Sequence, residues 1–390
     1  MENVYVVSAV RTAVGRSKAG SAIAHVRPDD LAAAAIREAV KRSGIPAEKI
    51  QDCVLGCAFP EAESGMNVGR LALLIAGLPD TIPGETVNRF CSSGLESMAI
   101  AGAKIECGML DIAIAGGVES MSTAPATMKP GPDGVQAPWF PAAHPETDIT
   151  PAMNMAMTVG ENTARIAGVT REQADEWAFH SHQRAIAAID SGYFDAELVS
   201  VPLGDGAEFS VDEHPRRTSS LEKLASLPVI NPMLEGAIVT PGNSSGLNDA
   251  AAAMVLCSRE FAENHGLTPL AIVRSWASVA ATVERNGLAP TLAVPKALKL
   301  AGIGIEDIDA IEINEAFSSM AVASARELGL DDEITNQVGS GCSLGHPVAC
   351  TGARMLVTMA HQLARTDKQW GVATMCAAGG MGAATVIERA

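Results

Sequence analysis

The chain has 390 residues, which at about 100–200 residues per domain allows two domains with properly buried cores. Hydrophobic residues make up 47% and charged residues 19%, which excludes both a disordered chain and a small disulfide scaffold. The formal charge of −17, from 28 basic against 45 acidic side chains, argues against wrapping nucleic acid, so an anionic ligand needs a local basic patch.

The first residues lack a basic segment followed by a long apolar run, so they read as a strand over 4–8 and not as a secretory leader. A helix over 30–43, a strand over 53–57, a helix over 67–76 and a strand over 86–88 follow. That alternation is the sequence form of a layered α/β fold. No apolar stretch approaches the ~20 residues needed to span a bilayer; even the Ala-rich 31–40 carries Arg37 and Glu38. Over 92–106, Leu95, Met98, Ala99, Gly102 and Ile105 recur at helical spacing, and 111–115 reads as a buried strand.

Between Pro125 and Pro151, seven prolines fall in 27 residues, a density that no continuous helix or central strand tolerates. This marks an irregular, inserted region. One amphipathic helix, 171–191, is expected in it, opened by Thr170 with Gln173 at the capping-box position and closed by Gly192. Alternation resumes at 250–256. The last third reads as helix 293–301, strand 310–313, helix 316–328, helix 352–365 and strands 372–376 and 383–388. In both thirds a turn feeds a long Ala/Met-rich helix, and a buried strand follows that is expected to end in Gly-Gly, at 116–117 and 379–380. The echo suggests two halves built by duplication.

Eight cysteines, at 53, 57, 91, 107, 257, 342, 350 and 376, show no C-x-x-C pair and no zinc spacing, so no metal is expected. Each is by default a small buried hydrophobe in a reduced, intracellular chain. Four segments invite a chemical reading. Cys91 stands at a strand-to-helix turn, where helix N–H groups stabilise a thiolate, so an unusually acidic thiol is expected. His346, in Gly345-His346-Pro347, offers an imidazole, the usual acceptor of a thiol's proton. Cys376 precedes the glycine-rich turn 379–382, whose amides can converge on an oxyanion. Asn314-Glu315 puts an amide and a carboxylate at a strand end. Taken singly, each has a structural reading too: a buried turn cysteine, a turn-capping histidine, a tight connection and a helix N-cap.

In this order the segments resemble the thiolase family, which carries N-x-x-C-x-S-G, G-G-x-E-S-M-S, N-E-A-F, G-H-P and C-x-G-G-G-type segments. Here they stand at 88–94, 116–122 (GGVESMS), 314–317, 345–347 and 376–382, together with 240–248, and the likeness spreads over essentially the whole chain. The resemblance implies an α/β fold of five layers, α-β-α-β-α, from two duplicated halves with an inserted loop domain. Residues 1–118 with about 250–268 would form the N-terminal half, 119–249 the loop domain, and 269–390 the C-terminal half.

It further implies acyl transfer between a cysteine and coenzyme A, which is a substrate here; no permanently bound cofactor is expected. Cys91 would be the nucleophile, His346 its base and Cys376 the second acid/base. One oxyanion hole would use His346 with a water held by Asn314; the other would use the backbone N–H groups of Cys91 and Ala378. The family usually has Gly at 378, so Ala378 serves only without a positive φ. For coenzyme A, the family points to Ser245 near the pantetheine arm and Arg216 near the nucleotide, a solvated surface charge being the competing reading of Arg216. Pro241, where the family commonly has Ala, puts that contact in doubt. Phe317 is a further substrate contact, and Met155 and Met157, with Met153, are candidate acyl-pocket walls, with loop-domain core as their competing reading.

Two alternatives stay open at this point: a β-ketoacyl synthase-like condensing enzyme, disfavoured by Cys376, and a catalytically silent acyl-CoA or lipid carrier, which needs none of these reactive groups. A thiol redox protein lacks the C-x-x-C spacing. Residues 218–225 resemble degradative 3-ketoacyl-CoA thiolases, while the other motifs suit acetoacetyl-CoA thiolases equally. The partners expected are CoA and acyl-CoA thioesters, with no nucleic acid and no membrane. A homodimer, further paired into a homotetramer, in the cytoplasm completes the expectation.

Overall fold

The computed structural model describes residues 3–124, 128–130, 136–138, 144–204 and 206–390. Within the proline-rich segment 125–151, residues 125–127, 131–135 and 139–143 lie outside the described residues, and a short antiparallel pair, Met128–Pro130 with Gln136–Pro138, lies among the described ones.

The main strands are β1 (Val4–Thr12), β2 (Cys53–Gly56), β3 (Glu85–Val87), β4 (Ile112–Ser120), β5 (Asn248–Ser258), β6 (Ala271–Ala280), β7 (Ala310–Ile313), β8 (Trp370–Ala377) and β9 (Met381–Arg389). The main helices are α1 (Pro28–Ser43), α2 (Val68–Ile75), α3 (Ser93–Glu106), α4 (Arg171–Asp190), α5 (Pro290–Ala301), α6 (Ser318–Leu328) and α7 (Thr351–Arg365). In space the strands run β7-β8-β9-β6-β1-β5-β4-β2-β3. The two ends mirror each other. β2 is parallel to β4, which is antiparallel to β5 and then β1; β7 is parallel to β8, which is antiparallel to β9 and then β6. The halves meet where Tyr5 and Val6 of β1 pair with Ile272 and Ala271 of β6.

Strand alternation sorts the side chains into layers. Ile112, Ile114 and Val118 of β4 pack with α1 and α2, whereas Ala113 and Ala115 face Leu95, Met98 and Ile105 of α3. In the second half, Ala373 and Met375 of β8 join the same central cluster, and Val372 turns outward to Val294 and Leu298 of α5. Helices α3 and α7 thus lie between the two half-sheets and α1, α2 and α5 cover the outsides, which gives five layers.

Small residues let the central helices touch. A Cβ on Gly94 would lie 2.5 Å from Ala353 N, and one on Gly352 would lie 2.7 Å from Leu95 N. Since α3 follows Cys91 and α7 follows His346, this crossing brings their two turns to one place.

Three expectations change. Gly116 and Gly117 lie inside β4, not at its end; a Cβ at 116 would strike Ala252 O in β5, and one at 117 would lie 2.5 Å from Ala349 O. β6 has no counterpart in the sequence reading because Arg274, Ser275 and Ser278 interrupt its apolar run. The inserted region also holds more than α4, adding a π-helical turn, Ala156–Glu161, and the short helices Asn162–Ala167 and Leu221–Ala225. The capping box of α4 forms as expected, with Thr170 and Gln173 bonding each other's backbone.

Candidate active site

The turn before α3 is wound tightly by its own side chains. Asn88 Oδ1 accepts from Phe90 N–H at 2.8 Å, and Ser93 Oγ accepts from Arg89 N–H at 2.8 Å while donating to Phe90 O at 2.6 Å. These bonds hold Phe90 at φ 47°, a left-handed conformation that costs a bulky residue roughly 1–3 kcal/mol. The next residue, Cys91, is half-buried at the mouth of the turn. Its thiol receives the backbone N–H of Ala378 and its own N–H, both of which favour the thiolate.

Burial outweighs those donors and pushes the Cys91 thiol up to about 11, with the nearby Glu119 carboxylate opposing ionisation further. The shift runs opposite to the acidic thiol expected from the turn: desolvation exceeds what the helix start supplies. A base has to take the proton.

His346 presents an acceptor nitrogen. Its Nδ1 lies 2.6 Å from Thr351 Oγ1, and that hydroxyl donates its own proton to Pro347 O at 2.9 Å. That arrangement fits an imidazole proton on Nδ1 given to Thr351, with Nε2 as the acceptor. Nε2 is buried without a hydrogen-bond partner among the described residues, as is Asn314 Oδ1. Burial, aided by Arg354, holds the His346 pKa down to about 4, so the ring is uncharged at neutral pH. Its backbone is pinned by Asn248, whose Oδ1 accepts from His346 N–H at 2.9 Å and whose Nδ2 donates to Gly15 O at 2.9 Å. Asn314 Nδ2 lies 3.5 Å from His346 Nδ1.

Cys376 is the penultimate residue of β8, buried among Val159, Ala316 and Met320 with Met155 and Phe317 against the cluster. Burial first, then the nearby Cys91 charge, raises its thiol. The turn beyond it is clamped by Asn286, which donates to Ala377 O at 2.9 Å and accepts from Gly380 N–H at 3.1 Å. Gly379 and Gly380 have positive φ and Ala378 does not, so the departure at 378 leaves the backbone amide aimed as glycine would aim it.

Cys91, Ala378 and Cys376 are thus neighbours, Asn314 sits beside His346, and Phe317 and Met155 pack on Cys376. Ser245 joins them through its N–H to Ala316 O at 3.0 Å. Met157 lines a different cavity of about 230 Å³, with Ile149, Asn162 and Ile238. Met153 is 60% exposed, which removes it from the core reading. Arg216 is half-buried; its guanidinium donates to Pro241 O at 3.3 Å, a backbone contact that proline at 241 preserves. Arg16 lies near enough to depress the Arg216 pKa, though burial is the larger cause.

The motif reading passed over several residues that build this site. Asn286 had no signal of its own, being a single amide far from the turn it holds, and Asn248 stood in the 240–248 segment without a role assigned to it. Glu315 had one, its place beside Asn314. Its buried carboxylate accepts from Trp177 Nε1, Ser181 Oγ, Asn336 Nδ2 and Cys342 N–H at 2.7–3.0 Å and ties α4 to the strand end bearing Asn314.

A thiol, a second thiol and an imidazole around fixed amide donors suit covalent acyl transfer. Residues 4–260 match the family model of the thiolase N-terminal domain and 267–389 that of the thiolase C-terminal domain. The chain is 43% identical to the 3-ketoacyl-CoA thiolase of Bacillus subtilis (strain 168), over 100% of both chains. Among solved structures it is similar to the Bacillus anthracis acetyl-CoA acetyltransferase, with a TM-score of 0.92 and 38% identity, covering 100% of this chain and 99% of that one. It is also similar to human mitochondrial 3-ketoacyl-CoA thiolase in complex with CoA, at 0.91 and 30%, covering 100% and 98%. The chain belongs to the thiolase family and is an acyltransferase. These relatives support neither the ketoacyl synthase nor the silent-carrier alternative.

Proposed function

We propose that the chain cleaves 3-ketoacyl-CoA with CoA, reversibly, giving acetyl-CoA and a shortened acyl-CoA through an acyl group on Cys91. His346 Nε2 takes the Cys91 proton as sulfur attacks the 3-keto carbon. The bond between C2 and C3 breaks, its electron pair forms the acetyl-CoA enolate, and Cys376 returns a proton to C2. In the second half-reaction a fresh CoA thiol loses its proton to the site, attacks the acyl-Cys91 carbonyl and restores the Cys91 thiol. Run backward on two acetyl-CoA molecules, the same steps give acetoacetyl-CoA.

Negative charge appears on the thioester oxygen and on the tetrahedral oxygen. The N–H groups of Cys91 and Ala378 are assigned to one, and His346 with a water on Asn314 to the other; each such donor contributes several kcal/mol, about 3–4 by analogy. The observation that carries the reading is the bare, buried Nε2 of a neutral His346, fixed by Thr351.

For CoA, Ser245 is assigned to the pantetheine arm and Arg216 to the phosphates. Arg16 donates to His214 O at 3.3 Å, and Arg216 N–H donates to His182 Nδ1 at 3.2 Å. Burial and both arginines keep His182 and His214 uncharged, with pKa values down to about 4 and about 3. Two guanidiniums close together form the local positive patch that an acidic chain needs for an anionic ligand. Phe317 and Met155 are assigned to the acyl end.

Steady-state thiolysis tests the function: acetoacetyl-CoA and a medium-chain 3-ketoacyl-CoA are both expected to turn over, strictly dependent on CoA. Absence of cleavage of either overturns it.

We also propose a homodimer, with dimers pairing into a tetramer, in the cytoplasm. In support of a partner, β3 ends the sheet with an edge that is unpaired among the described residues, Met66 nearby is 91% exposed, and an open depression of about 580 Å³ lined by Asn88, Arg89, Phe90 and Met381 flanks it. Sedimentation at micromolar concentration is expected to show no monomer; a predominant monomer contradicts this.

A further inference from the structure

We propose that Glu119 is a positioning residue whose single carboxylate holds the Cys91 turn and the His346 turn in register. This rests on the roles given to Cys91 and His346 above. Glu119, in β4, is 0% exposed and touches neither reacting group directly by hydrogen bond among the described residues. Its Oε2 accepts from the backbone N–H of Ala58 at 3.0 Å and of Ala349 at 2.9 Å. Its Oε1 accepts from Phe59 N–H at 3.3 Å and lies 3.7 Å from the Cys57 sulfur.

Each partner leads on to one half of the chemistry. Ala58 O accepts from Asn88 Nδ2 at 2.9 Å, and Asn88 Oδ1 in turn holds Phe90 N–H, one residue before the nucleophile. Ala349 stands three residues after His346, and its carbonyl packs where Cβ atoms on Gly94 and Gly117 would collide. The path Phe90–Asn88–Ala58–Glu119–Ala349 therefore crosses from the N-terminal half to the C-terminal half within one oxygen atom.

The choice of a carboxylate needs a reason, because its donors are three amides and a thiol. A buried anion without a cationic partner is unfavourable, and burial lifts the Glu119 pKa to about 7. Apolar packing serves stability alone better. A carboxylate, however, presents two acceptor atoms to four donors, whereas glutamine turns an NH₂ toward one pair. The titratable groups facing it are thiols: Cys57 after β2, Cys91 before α3 and Cys350 at the start of α7, each made harder to ionise by the Glu119 charge. Its benefit to Cys91 is geometric and its electrostatic effect opposes the thiolate. Protonation puts an O–H on one oxygen and loosens half of the brace, so activity should fall as pH drops through about 7.

Glu119→Ala and Glu119→Gln test the role. E119A is expected to lower kcat for acetoacetyl-CoA cleavage by roughly 100-fold, with KM changed by less than about twofold, since a misplacement near 1 Å costs that much. E119Q, with one acceptor oxygen retained, is expected to recover to within about tenfold of the unaltered enzyme. Its acid limb near neutral pH should disappear, and Cys91 should be alkylated by iodoacetamide at lower pH than before. Should E119A not fold, by circular dichroism, the two E119Q profiles still decide. Unaltered kcat in folded E119A, or pH profiles of E119Q superimposable on the parent's, overturns the proposal. A parent enzyme with no thiolysis overturns the assignment beneath it, an outcome visible before any variant is made.

Discussion

Replacement of Cys91 by alanine is expected to lower CoA-dependent cleavage of acetoacetyl-CoA by roughly 10⁴-fold or more, in line with other nucleophile deletions. The fold should persist. Cys91 is half-buried, and the bonds that wind its turn come from Asn88 and Ser93, so losing the sulfur frees the Ala378 N–H but leaves the turn's own bonds in place. A change in stability of about 1 kcal/mol or less is expected. The pairing of these readouts matters: kcat falls while the thermal midpoint stays put. Turnover of C91A within tenfold of the parent contradicts the assignment.

His346→Ala has the second largest expected effect, a loss of roughly 10³-fold, and a changed pH profile identifies its cause. With the thiol pushed up to about 11 and the imidazole held down to about 4, a ready-made thiolate–imidazolium pair is strongly disfavoured. The sign follows for each group. A depressed histidine pKa means that His346 stays a competent base down to about pH 5 and sets no limb at neutrality. A raised thiol pKa means that, without the base, rate must follow spontaneous ionisation of Cys91 and climb about tenfold per pH unit through pH 8–10. The H346A profile should therefore be steep where the parent's is flat, and iodoacetamide should alkylate Cys91 of the free enzyme faster as pH rises over the same range. Parallel profiles for H346A and the parent contradict the role of His346. Thr351 enters here as the group that keeps the proton on Nδ1.

Much of this was legible in the residues. Helical spacing marked α3, Ala- and Met-rich composition marked α1 and α7, and the thiol and imidazole segments stood out for the glycine, proline and serine around them. The layered fold followed from alternation plus the echo of the two thirds, and the mirrored pairing of β2-β4-β5-β1 with β7-β8-β9-β6 shows why the echo exists. What escaped is long-range. Gly116 and Gly117 look like a strand end, but they are there because Ala252 and Ala349 come close, and neither neighbour is visible from local spacing. β6 carries polar residues on its half-exposed positions, and its partners, β1 and β9, lie at opposite ends of the chain. The acidity expected for Cys91 failed for a similar reason. A helix start can be read locally, while the burial that overrides it and the nearby Glu119 charge arise only in the folded chain. Asn248, Asn286 and Glu119 act across more than 90 residues each, so only the folded chain shows what they hold.

The central claim is that the acyl group rests on one named sulfur between two half-reactions. Incubating the enzyme with acetoacetyl-CoA in the absence of free CoA, quenching in acid and mapping peptides by mass spectrometry addresses it directly. One acetyl group on the peptide bearing Cys91, removed when CoA is added before the quench, is the result predicted. An unmodified Cys91 peptide from enzyme that has released acetyl-CoA, or an acetyl group on Cys376 in its place, contradicts it.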